Sequence, residues 1–307
     1  MARRLRIQFA GAIYHIINRG NYRRDLFETP GSAQAFETTL GETSVRFGWD
    51  IHAFGLIRNH FHFALTTPSP NLGDGMHWLQ TTFAVRFNRF RSERGHLFQG
   101  RYQSPLVENG AALVPVVDYI HLNAVRAGIV AAAQVADFRW SSLSRLVKGP
   151  RPEWLSPALW LQELGLNDSA RDWTRYVADL VDLARNPKEQ QKRGFDEFTR
   201  TWAIGTSGWK QAMARAHRHR AIEQDLPQIE TYALKEERWK MILEAELRRQ
   251  GKAAHDLVRA PKGALWKVEI AVSLRTHAGA PYSWICRALA MGSPGAARVS
   301  VWKLANR

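Results

Sequence analysis

Three things are scarce in this 307-residue chain: cysteine, acidic side chains and uninterrupted apolar sequence. Cys286 is the only cysteine. A fold stapled by internal disulfides is therefore excluded, and a reducing cytoplasm is the expected compartment. No stretch approaches the ~18 consecutive apolar residues of a membrane helix, so no membrane span is expected. Met1-Ala2-Arg3-Arg4 is basic, but the apolar run behind it is short and holds Tyr14 and His15. It reads as the lead into a strand rather than as a secretory signal. The acidic deficit says most: 28 Asp+Glu stand against 43 Lys+Arg, a formal net charge of +15. Such a balance favours a polyanionic partner, nucleic acid ahead of an anionic membrane surface.

What is present sharpens that choice. Residues 1–148 carry 17 Lys+Arg against 10 Asp+Glu, and 16 of the 17 are Arg. Guanidinium forks pair bidentately with phosphate and stack on bases, which ammonium groups do less well. The length allows more than one domain. Lys148-Gly149-Pro150-Arg151-Pro152 is a stop, so 1–148 is expected to be one domain, 149–255 a helical region without a readable motif, and 256–307 a small helical domain.

Within 1–148 the pattern alternates between strand and helix. Ala12–Arg19 is β-branched and aromatic, and reads as a strand. Thr29-Pro30 has the form of an N-cap followed by proline, and Phe36, Leu40 and Phe47 continue at helical spacing. Trp49–Ile57 and His60–Thr67 are two strands separated only by Arg58-Asn59, a hairpin. Met76, Leu79, Phe83, Phe87 and Phe90 form one helical stripe, with Gly95 as its end. A short strand at Ser104–Glu108 leads to a helix that Asn109 caps and Gly128 closes. The order βαββαβα predicts an α+β fold: four antiparallel strands with helices on one face of the sheet.

Two pairs of residues carry chemistry. Along a strand, side chains alternate faces, so His60 and His62 point the same way while Phe61 and Phe63 point into the core. Two imidazoles so spaced can bind one metal ion. Read alone, the pair also fits polar-face histidines that bind nothing. Tyr119 and Asn123 are four apart on a helix and share a face. An amide oxygen can complete a His₂ site with open positions for phosphate oxygens. A tyrosine hydroxyl beside it can attack phosphorus if its proton is made easier to lose. Read alone, Tyr119 also fits a tyrosine packed against the sheet.

Together these residues resemble a known group. His60-Phe61-His62 is similar to the His-hydrophobic-His motif of HUH single-strand endonucleases. Asp118-Tyr119-Ile120-His121-Leu122-Asn123-Ala124-Val125-Arg126-Ala127-Gly128 resembles the tyrosine helix of the single-tyrosine, IS200-like transposases. Tyr14-His15 to Asn18-Arg19-Gly20 and His96-Leu97-Phe98-Gln99-Gly100-Arg101-Tyr102 are similar to further signatures of that group, nearest its REP-associated branch. The resemblance spans about residues 5–147. It implies a ferredoxin-like βαββαβα domain, with His60, His62 and Asn123 as ligands of Mg²⁺ or Mn²⁺. It also implies that Tyr119 forms a 5′-phosphotyrosyl link while a 3′-OH is freed, on DNA hairpins with single-stranded flanks. Two positions depart from the usual pattern, which often has proline where Arg58 and Ala124 stand here; neither change removes a reacting group.

Arg19, Arg101 and Arg126 are candidate phosphate contacts, and Trp78 and Tyr102 are candidates for either base stacking or core packing. Near the C-terminus, a helix from Trp266, a second over Tyr282–Ala290, a turn at Gly292 and a third helix begun by Ser293-Pro294 together resemble a helix-turn-helix. Arg298, Ser300 and Lys303 would then face duplex DNA. The alternatives are a DNA-binding regulator that has lost catalysis, a replication initiator or relaxase, and an RNA binder. The motif order and the single tyrosine favour the transposase. Nothing in the sequence decides between monomer and homodimer, or whether Tyr119 serves its own subunit.

Overall fold

The computed structural model describes residues 7–217 and 232–305. The chain divides into two compact units, Arg6–Thr206 and chiefly Ser207–Arg307. No helix among the described residues is long and apolar enough to cross a membrane.

The first unit is α+β. Strand β1 is Ala12–Arg19, helix α1 Pro30–Phe47, strands β2 and β3 Asp50–Ile57 and His60–Thr67, helix α2 Leu72–Arg91, strand β4 Leu106–Val107 and helix α3 Gly110–Arg126. The helix starts follow their caps. Thr29 Oγ1 accepts from the Ser32 N–H at 3.3 Å, and Asn109 Oδ1 accepts from the Ala112 N–H at 3.0 Å. Gly48, at φ 68°, ends α1. The sheet order is β2-β3-β1-β4, which is the ferredoxin-like order, extended by a further strand, β5, at Ala203–Ile204. The first four strands pair antiparallel and β5 joins β4 in parallel, so the observed sheet has five strands rather than four.

The two faces of the sheet differ. Phe61 and Phe63 face α1 and α2, where Phe36 lies 4.6 Å from the Phe61 ring and 5.0 Å from that of Phe83. On the other face lies α3, packed on β2 and β3, so helices cover both faces rather than the one expected. Gly55 makes this possible: a Cβ there would sit 3.1 Å from the Ile120 carbonyl. Met76, Leu79, Phe83 and Phe87 are buried as expected, but Phe90 is 75% exposed, because the apolar stripe runs a turn further than its cover. The helix ends at Ser92, in a left-handed conformation at φ 55°, rather than at Gly95.

The Pro150 break ends only a helix, α4 (Ser142–Lys148), and not the unit. Three further helices, α5 (Ala158–Glu163), α6 (Ala170–Ala184) and α7 (Pro187–Lys192), belong with the sheet. Trp160 is fully buried, 5.9 Å from the His121 ring on α3 and 5.0 Å from Tyr176 on α6. The boundaries expected at 148 and 255 therefore do not coincide with the division near 206.

The second unit is helical. Helices Tyr232–Arg249, Leu265–Ala278, Tyr282–Ala288 and Pro294–Ala305 surround a core that includes Trp239, Ile270, Leu274, Trp284, Ile285 and Val301. Ser293 caps the last helix, its Oγ accepting from the Ala296 N–H at 3.3 Å. The left-handed residue of the preceding turn is Ala290, at φ 48°, rather than Gly292. Ala297 and Val301 face inward, and Arg298 and Lys303 are exposed. The Ser300 hydroxyl is engaged within its own helix, donating to the Ala296 carbonyl at 3.2 Å.

Candidate active site

Strand register assembles the first part of the site. Arg19 on β1 is opposite His60 on β3, and Ile17 is opposite His62. Cross-strand partners share a face, so Arg19, His60, His62 and, one step along, His15 all project toward α3. The His60 and His62 ring centroids are 5.1 Å apart. His60 Nδ1 lies 2.8 Å from Asn59 Oδ1 and therefore donates to it, which leaves Nε2 free. His62 Nδ1 lies 3.1 Å from His15 Nε2, and those two rings stack at 5.3 Å.

Helix α3 brings the second part. The Tyr119 ring centroid is 5.4 Å from His62 and 5.8 Å from His15, in one chain. Asn123, one turn further on, is buried. The Arg126 guanidinium carbon stands 4.9 Å above the Tyr119 ring and its Nη2 is 3.8 Å from Asp196. From the segment after α7, Phe195 and Phe198 meet the Tyr119 ring edge-on at 5.5 and 5.6 Å. Tyr119 is thus only 7% exposed.

Electrostatics follow from this crowding. Burial pushes His60 down to about 4, helped by Arg19, and His15 down to about 3, opposed by the Phe198 carbonyl. His62 is held well below 6.5 by burial, then by His15, His60, Arg19 and Arg126. All three imidazoles are neutral near pH 7, the form that ligates metal. Burial raises the Tyr119 hydroxyl, while Arg126, the Asn123 amide and Arg19 work against that rise. Two buried polar atoms here have no hydrogen-bond partner, His15 Nδ1 and Asn123 Nδ2.

The donor set fits a divalent cation. Among the described residues no cluster of three His, Cys, Asp or Glu side chains is placed to hold a metal. Were His60 and His62 to hold a cation, a third ligand would be of another kind. Asn123 Nδ2 has no hydrogen-bond partner, and with the amide turned over Oδ1 takes its place. Two imidazoles and one amide oxygen suit a cation that keeps positions open for oxygen ligands.

A family model described as "Transposase IS200 like" matches residues 8–123. Over this segment the chain is similar to the IS200-like transposases. The match runs from Gln8, ahead of β1, to Asn123 and includes His60, His62 and Tyr119, while Arg126 and everything after it lie outside it. A solved structure of a REP-associated tyrosine transposase bound to a REP hairpin is 21% identical, covering 52% of this chain and 91% of that one at a TM-score of 0.42. A putative transposase from Deinococcus radiodurans R1 is 19% identical, covering 41% and 92% at a TM-score of 0.29. The comparison with curated proteins finds no match.

The other expected residues fall as follows. Arg19 is exposed at the rim. Arg126 is exposed at the end of α3, with its guanidinium over the Tyr119 ring. Arg101 is exposed in the loop before β4. Tyr102 is buried in the core, and Trp78 stacks beneath Arg46 at 5.4 Å. The sequence places His15 within a motif without giving it a role, and it does not single out Phe195 or Phe198. The period-two alternation of β1 puts His15 on the face of Arg19, but only the register with β3 brings it against His62.

Proposed function

We propose that this protein cuts and rejoins single-stranded DNA through Tyr119, with His60, His62 and Asn123 holding Mg²⁺ or Mn²⁺. The observation that carries the reading is the 5.4 Å separation of the Tyr119 and His62 rings within one chain. It favours attack within the same subunit, so a monomer suffices. When bound, the cation acts as a Lewis acid on the scissile phosphate.

The chain's own residues do the rest. Tyr119 Oη forms the new bond to phosphorus and loses its proton. The bond from phosphorus to the 3′ oxygen breaks, leaving a 5′-phosphotyrosine and a free 3′-OH. Resealing is the reverse, with a 3′-OH attacking and the proton returning to Tyr119. Arg126, over the ring, and Arg19, at the rim, favour the phenolate and attract phosphate. The contact of His15 Nε2 with His62 Nδ1 occupies that nitrogen and leaves His62 Nε2 for the metal. Arg101 is a further backbone contact on this side.

The second unit acts as a helix-turn-helix that grips duplex DNA, such as a hairpin stem, through Arg298 and Lys303, with Ser300 a lesser contact. Substrates of this kind place the protein in the cytoplasm, and the REP-associated branch is the one whose hairpin substrates suit this arrangement. A second reading, a DNA-binding regulator without catalysis, draws on the burial of Tyr119 beneath Phe195 and Phe198.

Incubation with Mn²⁺ and an end-labelled DNA hairpin carrying single-stranded flanks separates the two. A covalent adduct that Tyr119→Phe abolishes supports the transposase. Salt-sensitive binding with no adduct supports the regulator.

A further inference from the structure

The turn Gly20–Arg24 lies on the rim of this site and has no part in the chemistry above. It leaves β1 directly after Arg19, the partner of His60. It is anchored on two sides, the Gly20 N–H donating to the Asn59 carbonyl at 2.8 Å and the Asn21 N–H to the Leu97 carbonyl at 2.9 Å. It closes on itself through Arg23 N–H to Gly20 O at 3.0 Å and Arg24 N–H to Asn21 O at 2.9 Å. Only glycine fits at its start, because a Cβ on Gly20 would lie 2.2 Å from the Arg24 carbonyl oxygen.

Within this frame Tyr22 and Arg23 are both left-handed, at φ 51° and 59°. Two consecutive residues bearing Cβ atoms adopt that conformation only when their surroundings impose it. The result is exposure: Tyr22 is 92% exposed, the most exposed large hydrophobic side chain among the described residues. Val45, Phe90 and Val258, also well exposed, lie on ordinary helices and involve no such strain. Around Tyr22 the charge is positive. Arg19 and Arg23 are exposed, and Arg58, paired with Asp25 at 2.7 Å, keeps 69% of its side chain in solvent. Asn59 ties the turn to the site. Its Oδ1 takes the His60 Nδ1 contact at 2.8 Å while its Nδ2 donates to the Arg23 carbonyl at 3.4 Å.

We infer that Tyr22 is a stacking platform for an unpaired base of the DNA strand whose phosphate enters the site, with Arg19 and Arg23 receiving the flanking phosphates. The inference rests on the single-strand reading above and adds a binding position to it. An exposed aromatic face takes any unpaired base, whereas bases in a duplex have their faces covered by their neighbours. The platform therefore favours single strands without specifying sequence, and the turn fixes the backbone that carries the ring before DNA arrives.

Equilibrium binding of the full chain, in metal-free buffer so that nothing is cut, tests this with two probes: a labelled thymidine oligonucleotide and its abasic counterpart of equal length. Tyr22→Ala is expected to weaken thymidine binding about tenfold, within the range for loss of one base–aromatic stack, and to leave abasic binding unchanged. Tyr22→Trp should retain wild-type discrimination. Unchanged thymidine binding by Tyr22→Ala overturns the platform, and so does equal loss on both probes, which would mark a backbone contact or a damaged turn. If the unaltered protein binds neither probe, the single-strand reading falls as well. If it forms the Tyr119 adduct while Tyr22→Ala binds normally, only the platform falls.

Discussion

Helix α3 has a polar cluster on each side, and the two are built differently. On the far side, His121 Nδ1 meets the Tyr176 hydroxyl at 2.9 Å and its Nε2 meets Ser142 Oγ at 2.8 Å. Tyr176 in turn donates to Asp118 Oδ1 at 3.0 Å, and Arg193 donates to Asp118 Oδ2 at 2.7 Å. None of these side-chain atoms lacks a partner. On the near side, His15 and Asn123 each keep a buried polar atom unpaired. A closed network of this kind locks elements together, whereas open polar atoms in a dense interior await a ligand. On that ground the far cluster is expected to hold α3 and the near one to serve the proposed chemistry, and each expectation can be broken.

The largest effect expected is on the near side. Tyr119→Phe should remove the covalent DNA adduct altogether while leaving the thermal midpoint close to wild type, as gel and melting curve would show. An equally large loss of adduct from Tyr176→Phe, with the fold intact, would erase the distinction between the sides.

Acid should be the next largest perturbation, and it strikes both clusters. His15, His60, His62 and His121 all have folded-state values depressed below 6.5, as has His52. Below that value the unfolded histidines take up protons that the folded ones refuse, so stability is complete above about pH 6.5 and is lost as pH falls toward about 4. Asp118, raised to about 6 mainly by burial, acts in the opposite direction between its unfolded value and 6, but it is one group against five. Melting temperatures recorded from pH 7.5 down to 4.5 should fall continuously; a flat profile would contradict the buried neutral imidazoles.

Divalent metal should separate the clusters. A ligand that binds only the folded state stabilises it by ~2.7 kcal/mol at a hundredfold excess over its Kd. Mn²⁺ is expected to raise the melting temperature of the unaltered protein and of Tyr176→Phe, but not of His62→Ala. A rise retained by His62→Ala would place the ion elsewhere.

The smallest effect belongs to the far side. Tyr176→Phe leaves Asp118 and His121 each short of a partner and should cost ~1–3 kcal/mol in denaturant unfolding. A cost near zero would mean that the network is ornamental to the fold.

The sequence made much of the near side legible, because its signals are local. His60 and His62 alternate along a strand, Tyr119 and Asn123 repeat at one helical turn, and Thr29 and Asn109 announce the helices that follow them. Less was legible wherever a contact spans long stretches of chain. Asp118 meets residues 58 and 75 positions away, which no periodicity reports. Strand β5 is two residues long and is defined only by its neighbour. Lys148-Gly149-Pro150 marks the end of a helix as clearly as it would the end of a domain. What distinguishes the two is whether later aromatics such as Trp160 return to the same core.

That return has a practical meaning. The fifth strand, the arginine that balances Asp118 and the rings sheltering Tyr119 all come from beyond residue 123, where the family match stops. A polypeptide trimmed to the recognisable motifs would keep every reacting group, yet it would bare a sheet edge and strand an internal carboxylate. Such a fragment should precipitate rather than work. The tract beyond residue 123 is thus part of the interior of the first unit, and the smallest piece expected to fold is longer than the matched segment.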